Sequence, residues 1–395
     1  MNGPTPMPAA VRPAGYDLEG LRREEFPWAA DATYLNHAST GPIPQSARRR
    51  LEAYQARRVE PHRLGPDDLF PVLAAARAAA ARLIGADAAE IALTPNTSYG
   101  LNLAALALPL EPGSVILCSD REFPALVYPF RHRARRGDVT FELVPVTAEG
   151  WPDEAALLAR LADPRVRCLA VSLTQFANGY TFDLARLSRE TRARGTWLVV
   201  DAIQACGQVP VDVRATPVDL LACGAQKWLL SPWGTGFLWV HPDLVPRLEP
   251  PWAGWMAYQG TDDFSRLCAY DPRFREDARR FEMVTLAFHD FVGMAAAVEL
   301  LAGLGPAAVA AHLREIQRPV LEWAERRGVP VTSPLDGRGS GILCVAPPDP
   351  ARAFAALEAA GVTASLREGS IRLSPHAYNT VEEMARVAGI LERAG

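Results

Sequence analysis

A chain of 395 residues with 49% hydrophobic and 22% charged content has room for one large domain and a smaller one, and is neither disordered nor fibrous. Its formal net charge of -4 argues against a nucleic-acid or anionic-membrane partner, since both reward a basic surface. The six cysteines are scattered without metal-ligand spacing, residues 1–20 hold no signal-peptide core, and no run approaches the roughly 20 apolar residues of a membrane span. A cytoplasmic protein without a metal site is expected.

In chain order, a Pro-rich leader gives way to a short strand over 32–36 and a turn over 39–44, followed by Ala/Arg-rich helices, the last ended by Gly85. Apolar runs at 115–118, 166–173, 197–200, 220–222 and 237–240 read as buried strands. Helical stretches at 153–161 and 184–194 lie between them, the pattern of an α/β protein with a parallel sheet covered by helices. A helix over about 290–304 leads out of this layer. From 305 the pattern is helix, strand, helix, two strands and helix, a compact α+β unit. The expected organisation is an N-terminal segment over 1–30 packing with the small domain, a large domain over 31–304, and a small domain over 305–395.

Ligands on parallel sheets sit beyond the carboxyl ends of the strands, and the 197–200 strand ends on Asp201. After a loop comes Cys223-Gly224-Ala225-Gln226-Lys227-Trp228. A carboxylate at a strand end and a lysine on a small-residue turn suit pyridoxal phosphate, which needs a Schiff-base amine and an anion to keep its ring nitrogen protonated. Lys227 is the chain's only lysine. Arginine, always protonated, cannot replace it as an imine-forming amine.

With these residues, the chain resembles the class V aminotransferase family of fold-type I pyridoxal phosphate enzymes. That family includes cysteine desulfurases, kynureninases and isopenicillin N epimerase-like proteins. The resemblance runs from Tyr34-Leu35-Asn36 to Tyr378-Asn379-Thr380 and is densest over 199–236. It implies a mainly parallel seven-stranded sheet sandwiched by helices, plus a smaller α+β C-terminal domain, and a homodimer with shared active sites. It also implies roles for particular residues. Thr97 and Ser98 would cradle the phosphate at a helix start, where free N–H groups favour an anion. Phe123 would stack on the cofactor ring with Ile203 on the other face, Gln204 would meet the phenolic oxygen, and Gln226 the phosphate. Thr285 would reach the phosphate of the other subunit. Arg372, in Ser370-Ile371-Arg372-Leu373-Ser374, would hold the substrate α-carboxylate through paired hydrogen bonds. Gln175, Asn178 and His37 would line the substrate side, as would Ser39.

The leading expectation is an aminotransferase acting at Cα of an amino acid through Lys227. The alternatives are a C–S or β-lyase, an epimerase of the isopenicillin N epimerase-like branch, and a pyridoxal phosphate-binding regulatory protein without turnover. Cysteine desulfuration is disfavoured, because the short 366–370 stretch before Arg372 contains no cysteine.

Overall fold

The protein is described here by a computed structural model that covers residues 15–65, 68–283 and 285–394. Of the N-terminal segment expected over 1–30, residues 1–14 lie outside the described residues. The strands, in chain order, are β1 (Thr33–Tyr34), β2 (Ile91–Leu93), β3 (Val115–Ser119), β4 (Thr140–Val144), β5 (Val166–Ser172) and β6 (Trp197–Asp201). They continue as β7 (Leu220–Gly224), β8 (Gly236–Val240), β9 (Leu343–Val345), β10 (Val362–Thr363), β11 (Ser365–Arg367) and β12 (Ser370–Leu373).

Seven strands make one sheet in the order β2-β8-β7-β6-β5-β3-β4. Pairing is parallel from β7 to β4, and β8 runs antiparallel to both neighbours. Strands in such a sheet are covered on both faces and read as continuous apolar runs. Accordingly β7 is buried throughout, with Leu221 and Cys223 in the core on one face and Leu220 and Ala222 in the core on the other. Between β3 and β5 the chain changes direction, because β3 is followed outward by β4 and the chain then returns to place β5 on its other side. At such a switch the loops diverge and leave a crevice at the carboxyl edge.

Alanine-rich helix Phe70–Ile84 packs against Phe288–Leu304, its Ala76, Ala79 and Ala80 fully buried and its end capped by Gly85 at φ 69°. The C-terminal unit is a three-stranded antiparallel sheet, β11-β12-β9, packed by helices. One feature corrects the expected boundary at residue 31: β1 belongs with this unit. Thr33 pairs in parallel with Val362, and His37 N–H donates to Ser374 O at 3.2 Å. A two-residue strand cannot stand alone, and the C-terminal segment offers its ladder. Helix Leu18–Glu25, with Asp17 as N-cap, follows the same side, with Phe26 stacked on Tyr378 at 4.3 Å.

Candidate active site

Lys227 lies on the turn between β7 and β8, just beyond the sheet's carboxyl edge. The turn is pinned from several sides. Gly41 N–H and the Thr40 hydroxyl both donate to Gln226 O, at 2.8 and 3.2 Å. A ring nitrogen of His376 bonds Trp228 O at 3.0 Å. Gly41 is required here, since a Cβ at that position would collide with Lys227 O. Lys227 itself is 9% exposed. Burial pushes its amine down to about 8; Asp201 opposes this and Arg372 adds to it. A substantial neutral fraction at physiological pH makes the amine a nucleophile and a base.

Asp201 ends β6, next to β7 in the sheet, and its Oδ1 accepts from Ile203 N–H at 2.9 Å. Burial raises its acid group to about 6, while that hydrogen bond and Lys227 favour the charged form. At neutral pH it is an anion facing a partly protonated amine.

Helix Thr97–Ala107 aims its start at the same place. Asn96 caps it through Tyr99 N–H, and Gly100 lets the helix sit close on Ala222 of β7. Thr97 Oγ1 accepts from Gly224 N–H at 2.8 Å, which leaves the hydroxyl proton to donate. Ser98 is exposed beside it. Around Gly224 several expected residues converge: a Cβ there would lie 2.7 Å from Gln226 Oε1, 3.0 Å from Thr97 Oγ1 and 3.1 Å from Ile203 Cδ1. Phe123, 41% exposed, presents its ring to Lys227, whose Nζ is 5.4 Å from the centroid, and meets Phe176 edge to face at 5.2 Å.

Arg372, in β12, is 2% exposed. Its guanidinium donates to Ser365 Oγ, Phe176 O and Ser39 Oγ at 3.2, 2.8 and 2.9 Å, all neutral groups. No carboxylate among the described residues makes an ion pair with it. Burial lowers its proton affinity to about 10. A buried cation without an anion is costly unless a ligand supplies one.

The other side chains expected at the substrate or the cofactor are engaged with the protein itself or lie apart. His37 is fully buried behind the lysine turn, with its ring nitrogens taken by Ser374 O and the Tyr378 hydroxyl at 2.7 and 2.8 Å. Asn178 spends both ends of its amide on the protein, donating to Gly150 O before β5 and accepting from Tyr180 N–H in its own loop. Gln175 is buried and donates to Glu122 Oε1 at 2.7 Å. Gln204 donates to Ala38 O and accepts from the Trp228 indole N–H, so it braces the lysine turn. Thr285 is exposed and stands apart with Tyr54, Arg58 and His289. Glu122, Trp228 and His376 were not anticipated. Glu122 follows Asp120 and Arg121 in sequence, and nothing local set it apart from those neighbouring charges.

Residues 33–346 match the aminotransferase class-V family. The chain belongs to that family. This class-V aminotransferase family member is 32% identical over 377 residues to the isopenicillin N epimerase of Streptomyces clavuligerus, covering 91% of this chain and 94% of that protein. It is 29% identical over 304 residues to an uncharacterized aminotransferase, YcbU, of Bacillus subtilis (strain 168), covering 77% of this chain and 79% of the relative. Among solved structures, it superposes on the apo cysteine desulfurase from Thermococcus onnurineus NA1 with a TM-score of 0.84, 22% identity and coverage of 95% and 97% of the two chains. A C-DES mutant whose PLP cofactor carries a covalently linked glycine gives 0.83, 23%, 94% and 98%. The chain therefore has the fold-type I α/β architecture and is a pyridoxal phosphate-dependent enzyme.

The residues fit that group. The small space at Gly224, the helix start at Thr97, the anion of Asp201 and the amine of Lys227 surround one point at the carboxyl edge of the sheet. Among the described residues there is no cluster of metal-ligating side chains, and no single helix is long and apolar enough to cross a membrane.

Proposed function

We propose that this class-V enzyme is an aminotransferase acting at Cα of an α-amino acid. The observation that carries this reading is Arg372, a buried guanidinium whose partners are all neutral, set close enough to lower the proton affinity of Lys227. An α-carboxylate is the anion such a site lacks, and the planar fork of arginine fixes its orientation.

Pyridoxal phosphate, when bound, supplies an aldehyde for the amine and a protonated ring that draws electrons from Cα. Lys227 Nζ would anchor that group and, once free, would take the Cα proton and return it. Asp201 holds the ring nitrogen in its protonated form. The first turn of helix Thr97–Ala107, with the hydroxyls of Thr97 and Ser98 and the amide of Gln226, holds the phosphate. Ile203 and Phe123 would flank the ring, and Phe123 with Phe176 would exclude water from the amine. Neither phenyl ring carries a transferable proton, so among the described residues Lys227 is the acid/base that this reading places beside Cα. A single base moves a proton along one face, which suits amino transfer better than inversion at Cα, where the proton must come back from the opposite face.

Epimerisation is the second reading, supported by the identity to isopenicillin N epimerase across nearly the whole chain. A panel of amino acids incubated with and without an α-keto acid separates the outcomes. Amino transfer gives product only with the acceptor. Inversion of configuration without an acceptor establishes an epimerase instead, and keto acid plus a released fragment without an acceptor establishes a lyase.

We further infer a cytoplasmic homodimer. Supporting a second copy, Trp255, Phe264, Leu267 and Tyr270 expose large apolar side chains on one segment, and Thr285 is accessible for the phosphate of the other subunit. Light scattering of the purified protein tests the dimer.

A further inference from the structure

Glu122 lies where the chain leaves β3, at the switch between β3 and β5. It is 6% exposed. Its Oε1 accepts from Ser172 N–H at 2.9 Å and from Gln175 Nε2 at 2.7 Å. Its Oε2 is buried and has no partner among the described residues. A carboxylate oxygen without a donor is expensive to bury, whereas an O–H at that position costs far less.

The ionisable groups around it give no reason to ionise. Asp201, on β6, pairs in register with Ser172, and its charge acts on Glu122. Cys118, in β3, is a buried thiol held in its neutral form by burial, with Glu122 and Asp120 adding to this. Both direct donors, from Ser172 and Gln175, are neutral. Burial, reinforced by Asp201, pushes the acid up to about 8 against the opposing pull of Ser172, through both side chain and backbone, and of Gln175. Two neighbouring carboxyls in a dry site share one negative charge. Asp201 takes it, because Lys227 and Ile203 N–H stabilise the anion there.

We propose that Glu122 is a positioning residue held as an un-ionised acid, its carbonyl oxygen locking Gln175 and the end of β5 while its retained proton leaves Asp201 the single anion under the cofactor ring. The second half of this statement rests on the reading of Asp201 and Lys227 given above. Ionisation of Glu122 at alkaline pH adds a second negative charge at the switch, draws a proton toward Lys227 and removes the neutral base.

The decisive measurement is the infrared difference spectrum between wild type and Glu122→Gln, recorded on cofactor-free protein across pH 6 to 9. A carboxylic acid C=O band should be present in wild type at neutral pH, fade around pH 8 and be missing from the variant. A difference spectrum showing only an ionised carboxylate at neutral pH overturns the proposal. In the loaded enzyme, Glu122→Ala is expected to lower kcat/KM by about tenfold, roughly the loss of one buried hydrogen bond. Glu122→Gln, which keeps an acceptor and a donor in the same places, should restore most of that and abolish the alkaline inflection. If both variants fold, hold cofactor and are equally impaired, the residue acts as an anion and the proposal fails. Failure of the pyridoxal reading is distinguishable, because it appears as a missing label on Lys227 while the infrared band of cofactor-free protein is unaffected.

Discussion

The indole Nε1 of Trp228 donates to Oε1 of Gln204 at 2.7 Å, joining the residue after the lysine to the loop that follows Asp201. Both side chains are buried. The bond fixes the relative position of the site's amine and its carboxylate through one side-chain contact. Replacing Trp228 with Phe leaves Gln204 Oε1 buried without its donor and opens space, which should cost about 1–3 kcal/mol of stability for the unpaired oxygen alone. Denaturant titration of wild type and W228F checks this. Superimposable unfolding curves would show that the contact does not strain or support the turn.

Lys227 is the only side-chain primary amine in the chain. Borohydride reduction of the loaded enzyme should place a single pyridoxyl group on it, and Lys227→Arg should carry none. Because burial lowers the amine to about 8, its capture of pyridoxal phosphate by cofactor-free protein should slow about tenfold for each pH unit below that value. The rate of appearance of the visible band at several pH values measures it. A rate independent of pH between 6 and 8 would rule out a free amine as the reacting species.

Removal of the guanidinium should affect substrate far more than cofactor. For Arg372→Gln, loss of a buried charge pair with the α-carboxylate is worth about 2–4 kcal/mol, a fall of roughly 30- to 1000-fold in kcat/KM. The cofactor absorption band should remain. Competitive inhibition by simple α-keto acids should weaken in parallel, and an unchanged inhibition constant would remove Arg372 from the carboxylate site.

Two histidines predict an acid-labile joint. His37 and His376 are fully buried, 5.0 Å apart between ring centroids, and burial depresses both, His376 to about 4. Between that value and the unfolded value near 6.5, the unfolded chain binds more protons, so stability rises with pH and is lost as pH falls. Each such group gives a slope of about 1.4 kcal/mol per pH unit. The stability advantage of wild type over His376→Asn should therefore shrink on going from pH 6.5 to 4. A pH-independent difference in unfolding free energy would reject the assignment.

The sheet, the helices that cover it and the pair Asp201 and Lys227 were legible in the sequence because each is a local signal: an apolar run, a periodic stretch, a strand ending in a carboxylate, a unique lysine. Arg372 was legible through the motif around it. His37, Asn178 and Gln175 misled because their partners, Ser374 and Tyr378, Gly150, and Glu122 respectively, are distant or unremarkable in sequence. A polar side chain next to a site motif looks the same whether it faces a ligand or a main-chain carbonyl. The partner of β1 was hidden for a related reason, since two residues carry no periodicity and the ladder they join is formed near the other end of the chain.

That pairing also fixes when the enzyme becomes competent during synthesis. A nascent chain halted before β12 already contains Asp201 at the end of β6 and Lys227 on the turn after β7, yet Ser39 waits for a guanidinium not yet translated and the 376 imidazole that grips Trp228 does not exist. Early folding can build the scaffold, but chemistry begins only after β12 and His376 have left the ribosome and packed against the Ser39 and Trp228 segments.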